Sequence, residues 1–240
     1  MGTTSTPRTE SSTCCRIELT DTVEDYLKAI FAITSLGEAA STSGIAARLG
    51  VTPPSVTAML HRMRDSGLVA TATWGHVWLT KHGGVHARSV VRRHRLLETF
   101  LHRVLGVSWD EVHEEAEVLE HHLSKRLENL IDAALGFPDR DPHGDPIPSL
   151  RGKHEERGET PLAESGPGDV FLVQRVYDTD NIALRHLAEL DIRPGVSIEV
   201  EQRPSDVAPM WVRVGGERCS LSCAVVNLIH GRVESSVAAS

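Results

Sequence analysis

Between Val112 and His122 the chain sets His113, Glu117, Glu120 and His121 at spacings i, i+4, i+7 and i+8. On a helix these four share one face, the face that an amphipathic helix normally fills with leucine and valine. Two imidazoles and two carboxylates stand there instead, so the segment cannot be read as an ordinary core helix. The mixed nitrogen and oxygen set is the ligand chemistry of a borderline-to-hard divalent metal ion. A second pair, His94 and Glu98, stands at i, i+4 upstream, in a predicted helix entered through Val90-Val91-Arg92-Arg93. One such pair alone would be a solvated surface pair worth ~0.2–0.5 kcal/mol. Two sets in one chain ask for another explanation.

A chain of 240 residues fits one or two domains of ~150 residues, or more if the modules are small. The hydrophobic content of 40% is enough for packed cores, which the low aromatic content makes mostly aliphatic. No run approaches ~18 apolar residues, the length needed to span a membrane. Met1 to Ser12 is rich in Ser and Thr without an apolar core, so residues 1–19 read as a disordered tail and not a signal peptide. Cys14, Cys15, Cys219 and Cys223 form neither a zinc-ribbon nor a disulfide pattern, and are expected as reduced thiols. These features predict a soluble cytoplasmic protein.

The net charge is −8, yet its distribution is uneven. From Ser41 to Arg95 there are eight basic residues against one acid, Asp65, a local charge of +7; the rest of the chain carries 17 basic and 32 acidic residues, or −15. One basic block in an acidic protein is the footprint of a phosphate-binding surface. In it, a short helix over Thr42–Leu49, a turn at Gly50-Val51-Thr52, and a helix opened by Pro53 and closed near Ser66-Gly67 make a helix-turn-helix. Residues 68–73 and 77–80 bracket Trp74-Gly75-His76 as a hairpin, the wing of a winged helix. Thr52, Pro54, Ser55, Thr57 and Ala58 then face the major groove, where hydroxyls bond several base edges and Ala58 touches thymine methyls. Arg48, Arg62 and Arg64 hold phosphates, which set register and affinity.

Ahead of this block, a helix capped at Thr20 or Asp21 runs to Leu36 and stops at Gly37. Behind it, helices are expected from His82 to Leu105, from Trp109 to about Leu123, and on to Leu135. Leu96, Leu97, Phe100, Leu101 and Val104 supply more apolar surface than a small winged domain needs, which points to a dimerisation unit. Gly136 to Pro148 reads as a turn region, and the polar stretch to Pro167 as a linker. Short strands over 170–177, 197–202, 211–214 and 218–221, with a Gly215-Gly216 turn, predict a small all-β barrel.

Asp21-Thr22-Val23-Glu24-Asp25-Tyr26-Leu27, the helix beginning Thr52-Pro53-Pro54-Ser55-Val56, Arg93-His94-Arg95-Leu96-Leu97-Glu98, the His113–His121 run and Gly144-Asp145-Pro146-Ile147-Pro148 resemble the diphtheria toxin repressor family of metal-activated transcription repressors. The likeness runs from about Thr20 to Pro148, and more loosely beyond. It implies a mainly α protein with a C-terminal β module: a tail over 1–19, a winged helix-turn-helix DNA-binding domain over 20–82, a helical dimerisation and metal domain over 83–148, a linker over 149–167 and an SH3-like barrel over 168–235.

The resemblance also implies ligands. The family's primary site matches Asp25, Glu117, Glu120 and His121, and its ancillary site matches His94, Glu98 and His113. Iron-responsive members carry Met and Cys at the first two primary positions. Asp and Glu there make a harder site, suited to Mn(II), with Fe(II) as the alternative. Manganese-responsive members place a ligating Glu one turn after the Asp; here Lys28 stands there, and an ammonium cannot ligate a cation. The chain therefore reads as a hybrid, with a manganese-type primary site and an iron-type ancillary site. Asp178 and Asn181 echo the Glu-x-x-Gln pair that the family's barrel can add.

The expected function is a Mn(II)-activated repressor with two metal sites per subunit. It would bind double-stranded palindromic operator DNA as a homodimer, away from membranes, and control metal-homeostasis genes. Two other classes stay open: a winged-helix regulator sensing an organic ligand, and a metallohydrolase. The second is disfavoured because the run lacks His-Glu-x-x-His and the chain shows no nucleophile motif or phosphate loop.

Overall fold

The computed structural model describes residues 19–35, 37–72, 75–149, 158–204 and 208–236. Most of the predicted tail, Cys14 and Cys15, Leu36, Trp74 at the hairpin tip and most of the predicted linker lie outside the described residues. The chain divides into two compact units, Met1–Val90 and Val91–Ser240.

The first unit begins with α1 (Asp21–Ser35), which buries Val23, Tyr26, Leu27, Ile30 and Ile33. Its chain direction reverses at Gly37, whose φ of +76° favours a residue without Cβ. The following helix, α2 (Thr42–Leu49), is bounded by local chemistry. The Ser41 hydroxyl accepts the Gly44 amide, and Gly50 closes the helix in the left-handed region. Pro53 opens α3 (Pro53–Asp65), where Val56, Leu60 and Met63 form a buried stripe. Strands β1 (Val69–Thr71) and β2 (Val77–Leu79) pair antiparallel, shorter than the sequence suggests, and Ala40 bridges to Val77. The first turns of α4 (Lys81–Leu105) belong to this unit. Gly83 lets them pass the Leu68 carbonyl, to which a Cβ would come within 1.9 Å.

In the second unit α4 continues, followed by α5 (Val112–Leu119), a 3-10 turn at Glu120–His122 and α6 (Lys125–Ala134). Leu96, Leu97, Leu101, Val112, Ala116, Ile131 and Ile147 form one core. Leu96, Leu97 and Leu101, read from sequence as excess surface, are thus interior residues. In this helical part the exposed large apolar side chains among the described residues are Val104, Leu105, Val118, Leu119, Leu127, Leu130 and Phe137. The single helix expected from Trp109 to Leu123 also divides: Ser124 caps α6 through the Leu127 amide, and the chain tightens into the 3-10 turn just before it.

The C-terminal part has β3 (Thr160–Pro161), β4 (Asp169–Val176), α7 (Asn181–Glu189), β5 (Ser197–Gln202), β6 (Met210–Val214), β7 (Glu217–Leu221), α8 (Cys223–Val226) and β8 (Ile229–Ser236). The strand order is β3-β8-β4-β5-β6-β7. Two expectations are corrected here. The sheet is open, since β7 and β3 do not pair among the described residues, and the module is not all-β, since α7 packs Ala183, Leu184 and Leu187 into its core. Asp180 makes α7 possible by accepting the Ile182 and Ala183 amides. Thr160–Glu164, read from sequence as linker, forms β3 and a turn whose Leu162 is fully buried.

Candidate metal centre and DNA-binding surface

The buried stripe of α3 turns its opposite face outward. Thr52, Pro54, Ser55, Thr57, Ala58 and Arg62 are all exposed, as are Arg64 and, on α2, Arg48. The hydroxyls are oriented locally: Thr52 Oγ1 and Ser55 Oγ lie 2.9 Å apart, and Thr57 Oγ1 donates to the Pro53 carbonyl at 3.1 Å. Arg64 donates to Nδ1 of His61 at 2.8 Å. A guanidinium only donates, so this contact leaves the His61 ring proton on Nε2.

The metal-type residues of the second unit converge. One turn of α4 separates His94 from Glu98, α5 brings His113, and the segment after β4 brings Asp178. Ligand atoms of these four lie within 4.8 Å of one another. His94 Nε2 is 2.9 Å from Glu98 Oε1, His113 Nδ1 is 3.2 Å from the same oxygen, and Asp178 Oδ2 is 3.0 Å from His113 Nδ1. His94 and Glu98 are buried, while His113 and Asp178 are half-buried.

The His113 ring faces several carboxylates at once. Burial by itself would lower the His113 pKa. The hydrogen bonds to Asp178, Glu117 and Glu98 outweigh it and push the value up to about 12. Burial raises the carboxyls of Glu98 and Asp178, but the facing imidazoles hold both well below the usual carboxylate range. The His113 imidazolium thus supplies positive charge to the carboxylates around it.

Glu98 belongs to a second buried group that the sequence reading missed, with Asp141 and His143, again within 4.8 Å of one another. The His143 backbone amide donates to Asp141 Oδ1, and its ring Nε2 donates to the Trp109 carbonyl at 2.9 Å. That bond fixes the tautomer and leaves a lone pair on Nδ1. This atom is buried and has no hydrogen-bond partner among the described residues. Burial, with Asp145 and Glu98 close by, raises the Asp141 carboxyl well above its ordinary value despite Arg95. A buried lone pair among carboxylates short of positive charge is what a divalent ion would satisfy. The residues present thus fit such an ion. The sequence signal was the Asp141-x-His143 spacing, hidden in a stretch whose prolines and glycines read as turn.

The remaining predicted ligands are placed as follows. Asp25 is half-buried on α1 in the first unit. Glu117 Oε1 lies 3.3 Å from His113 Nε2. Glu120 is buried, with Oε1 3.6 Å from His121 Nε2 and Oε2 2.5 Å from His94 Nδ1. The 3-10 turn therefore separates Glu120 and His121 from the α-helical face that His113 and Glu117 share. Asn181 turns away from the ligand cluster, its amide donating to Glu114 Oε1 at 2.7 Å.

A helical unit with an exposed hydroxyl and arginine face, joined in one chain to buried imidazole–carboxylate groups, fits the class of metal-dependent regulators of transcription. Comparison with known proteins narrows the class. Residues 18–77 match the family model "Iron dependent repressor, N-terminal DNA binding domain", residues 80–149 match "Iron dependent repressor, metal binding and dimerisation domain", and residues 160–233 match "FeoA domain". The iron-dependent repressor IdeR of Mycobacterium tuberculosis is 38% identical over 157 residues, 65% of this chain and 66% of that protein, just under two thirds of its length. The diphtheria toxin repressor of Corynebacterium diphtheriae is 31% identical over 200 residues, 79% of this chain and 88% of that protein. Among solved structures, a manganese-dependent transcriptional repressor in complex with manganese superposes with a TM-score of 0.81 at 38% identity, covering 88% of this chain and 99% of its own. The manganese regulator SloR gives 0.73 at 31% identity, covering 88% and 98%. The chain belongs to the diphtheria toxin repressor family of metal-dependent transcriptional repressors. These relatives are regulators, not enzymes. No described helix is long and apolar enough to cross a membrane.

Proposed function

We propose that the protein is a Mn(II)-activated repressor that binds palindromic double-stranded operator DNA as a homodimer and controls metal-homeostasis genes from the cytoplasm. The observation that carries this reading is the convergence of His94, Glu98, His113 and Asp178 in a chain of this family. Residues 20–82 act as the winged helix-turn-helix, 83–148 as the dimerisation and metal domain, and 168–235 as the SH3-like module beyond a linker over 149–167. Thr52, Pro54, Ser55, Thr57 and Ala58 read the groove while Arg48 and Arg62 hold phosphates. The exposed Val104, Leu105, Leu127, Leu130 and Phe137 suit burial against a second copy.

Two metal sites per subunit follow from the motif match: Asp25 with Glu117, Glu120 and His121, and His94 with Glu98, His113 and Asp178. Asn181 is left out, given its bond to Glu114. A bound divalent ion supplies positive charge. The first ligand set draws on both units by sequence. Its carboxylates, repelling one another otherwise, then favour the arrangement competent for DNA, a population shift that needs a coupling of only ~1–3 kcal/mol. Carboxylates at positions 25 and 117, with no thiol or thioether in the set, favour Mn(II). The His94-Glu98-His113 trio, which matches iron-responsive members, supports Fe(II) as the second reading.

A gel-shift of operator DNA with EDTA, and then with Mn, Fe, Co, Ni and Zn, tests this directly. Binding restored by Mn(II) and lost in Asp25→Ala or Glu120→Ala dimers is the expected result. Metal-independent binding would sink the proposal.

A further inference from the structure

Two histidines at the start of α4 lie outside every ligand set above. Thr80 caps the helix, its Oγ1 accepting the Gly83 amide at 3.0 Å, which fixes the first turns. His82 and His86 follow at i, i+4 on one face of those turns, both half-buried and both inside the first unit. Their Nε2 atoms lie 3.0 Å apart, with ring centroids 4.8 Å apart and planes tilted by 34°.

Two imidazole nitrogens bound to one ion at 2.0–2.1 Å, at angles between square and tetrahedral, stand about 2.9–3.4 Å apart. The observed separation falls in that range before any ion enters. In the metal-free pair one ring proton fills the gap, and an ion would replace it. The surroundings favour the exchange. Burial and the neighbouring His82 ring keep the His86 pKa below its ordinary value, which favours the neutral, ligating form of the ring. Glu24, from α1 of the same unit, adds negative charge that acts on His86.

We propose that His82 and His86 form a bis-imidazole site for a late first-row divalent ion, Ni(II), Cu(II) or Zn(II), within the DNA-binding unit and separate from the manganese ligands. Ligand chemistry selects the ion class: imidazole suits Zn, Cu and Ni, whereas carboxylate-rich sites suit Mn. The site would let metals other than the activating one act on the first turns of α4, directly after the β1–β2 hairpin.

The test is calorimetric titration of Ni(II) into the full chain, comparing wild type with His82→Gln and His86→Gln, with Mn(II) binding and circular dichroism as checks on the fold. The expected result is one more equivalent of Ni(II) taken up by the wild type, or an affinity at that step ten- to a hundredfold above the variants'. Equal uptake by all three proteins would make the contact a hydrogen bond only and overturn the site. Should either variant fail to fold, the wild-type histidine ring spectrum decides. Paramagnetic broadening of His82 and His86 by substoichiometric Cu(II) supports the site, and unbroadened signals overturn it. Neither measurement uses DNA, so this inference and the repressor reading can fail separately.

Discussion

His94 Nδ1 lies 2.5 Å from Glu120 Oε2 while its Nε2 lies 2.9 Å from Glu98 Oε1, so one buried imidazole joins residues of two proposed ligand sets. A ring with both nitrogens engaged cannot change its bonding on one side without changing its proton or orientation on the other. The two sets are therefore expected to be coupled. In a Mn(II) titration, His94→Gln should weaken both binding steps, each by ten- to a hundredfold, the scale found when a group orienting a metal ligand is lost. Loss confined to one step would show that the sets are independent.

Glu98 is the hub of the second unit's polar interior, shared by His94, His113 and the Asp141–His143 group. Glu98→Gln keeps the shape and removes the charge, taking from the half-buried His113 imidazolium one of its three carboxylate partners. Metal-free protein should lose on the order of 3 kcal/mol of stability at pH 6. At pH 10 the loss should shrink, because the variant's ring, with one carboxylate fewer, gives up its proton before the wild-type ring, whose pKa is about 12. Urea unfolding at the two values measures both effects, and a loss that is equal at both pH values would count against a charge origin.

The His113 pKa, raised to about 12 from near 6.5 in the unfolded chain, gives a signed prediction. A raised folded pKa contributes stability that is fully present below ~6.5 and is lost as pH rises toward about 12. Metal-free protein should therefore become less stable between pH 6.5 and 9, with a shallower decline in His113→Gln. Metal binding must displace the same proton, so Mn(II) binding at pH 7 should release about one proton more in wild type than in His113→Gln. Calorimetry in buffers of different ionisation enthalpy counts the protons, and an unchanged count would remove His113 from the ligand set.

Close backbone approaches set a further expectation. A Cβ at Gly83 would meet the Leu68 carbonyl oxygen at 1.9 Å, and the oxygen is backbone that cannot swing aside. Gly83→Ala should destabilise the first unit by about 2–3 kcal/mol, read as an earlier thermal transition. Gly84→Ala is the internal control. Its nearest neighbour is the flexible tip of Arg88 at 3.3 Å, so the change should be near neutral.

These contrasts show why some of the molecule is legible in the chain and some is not. Helix α2 could be read to the residue because Ser41 and Gly50 carry its boundaries in their own chemistry. Strand β8 could not. Gly231 sits at its pairing with β4 because a Cβ would come within 2.0 Å of the Leu172 carbonyl, and two register shifts break the alternation that would mark a strand. The His94–Glu98 pair was legible through helical spacing, whereas only the family resemblance grouped His113 with it. Asp141 and His143 lie on a proline- and glycine-rich loop with no period to reveal their direction, and only the fold brings them to Glu98. The open sheet and α7 are not legible for a related reason: strand periodicity says nothing about closure, and α7 is announced only by its cap, Asp180.

The outward face of α3 yields the last expectation. Arg48 and Arg62 are exposed and would contact phosphates, whereas Ala58 and the hydroxyls of Thr52 and Ser55 would contact base edges. Each phosphate contact releases about one counterion, so Arg48→Ala or Arg62→Ala should lower the slope of log K against log salt by about 1, at Mn(II) saturation. The loss should be alike for operator and random DNA. Ser55→Ala should leave the slope unchanged and narrow the preference for operator by about 1–3 kcal/mol. Fluorescence anisotropy over a salt series with the two DNAs separates the roles. An arginine variant with an unchanged slope but altered preference would move that side chain from the phosphates to the bases.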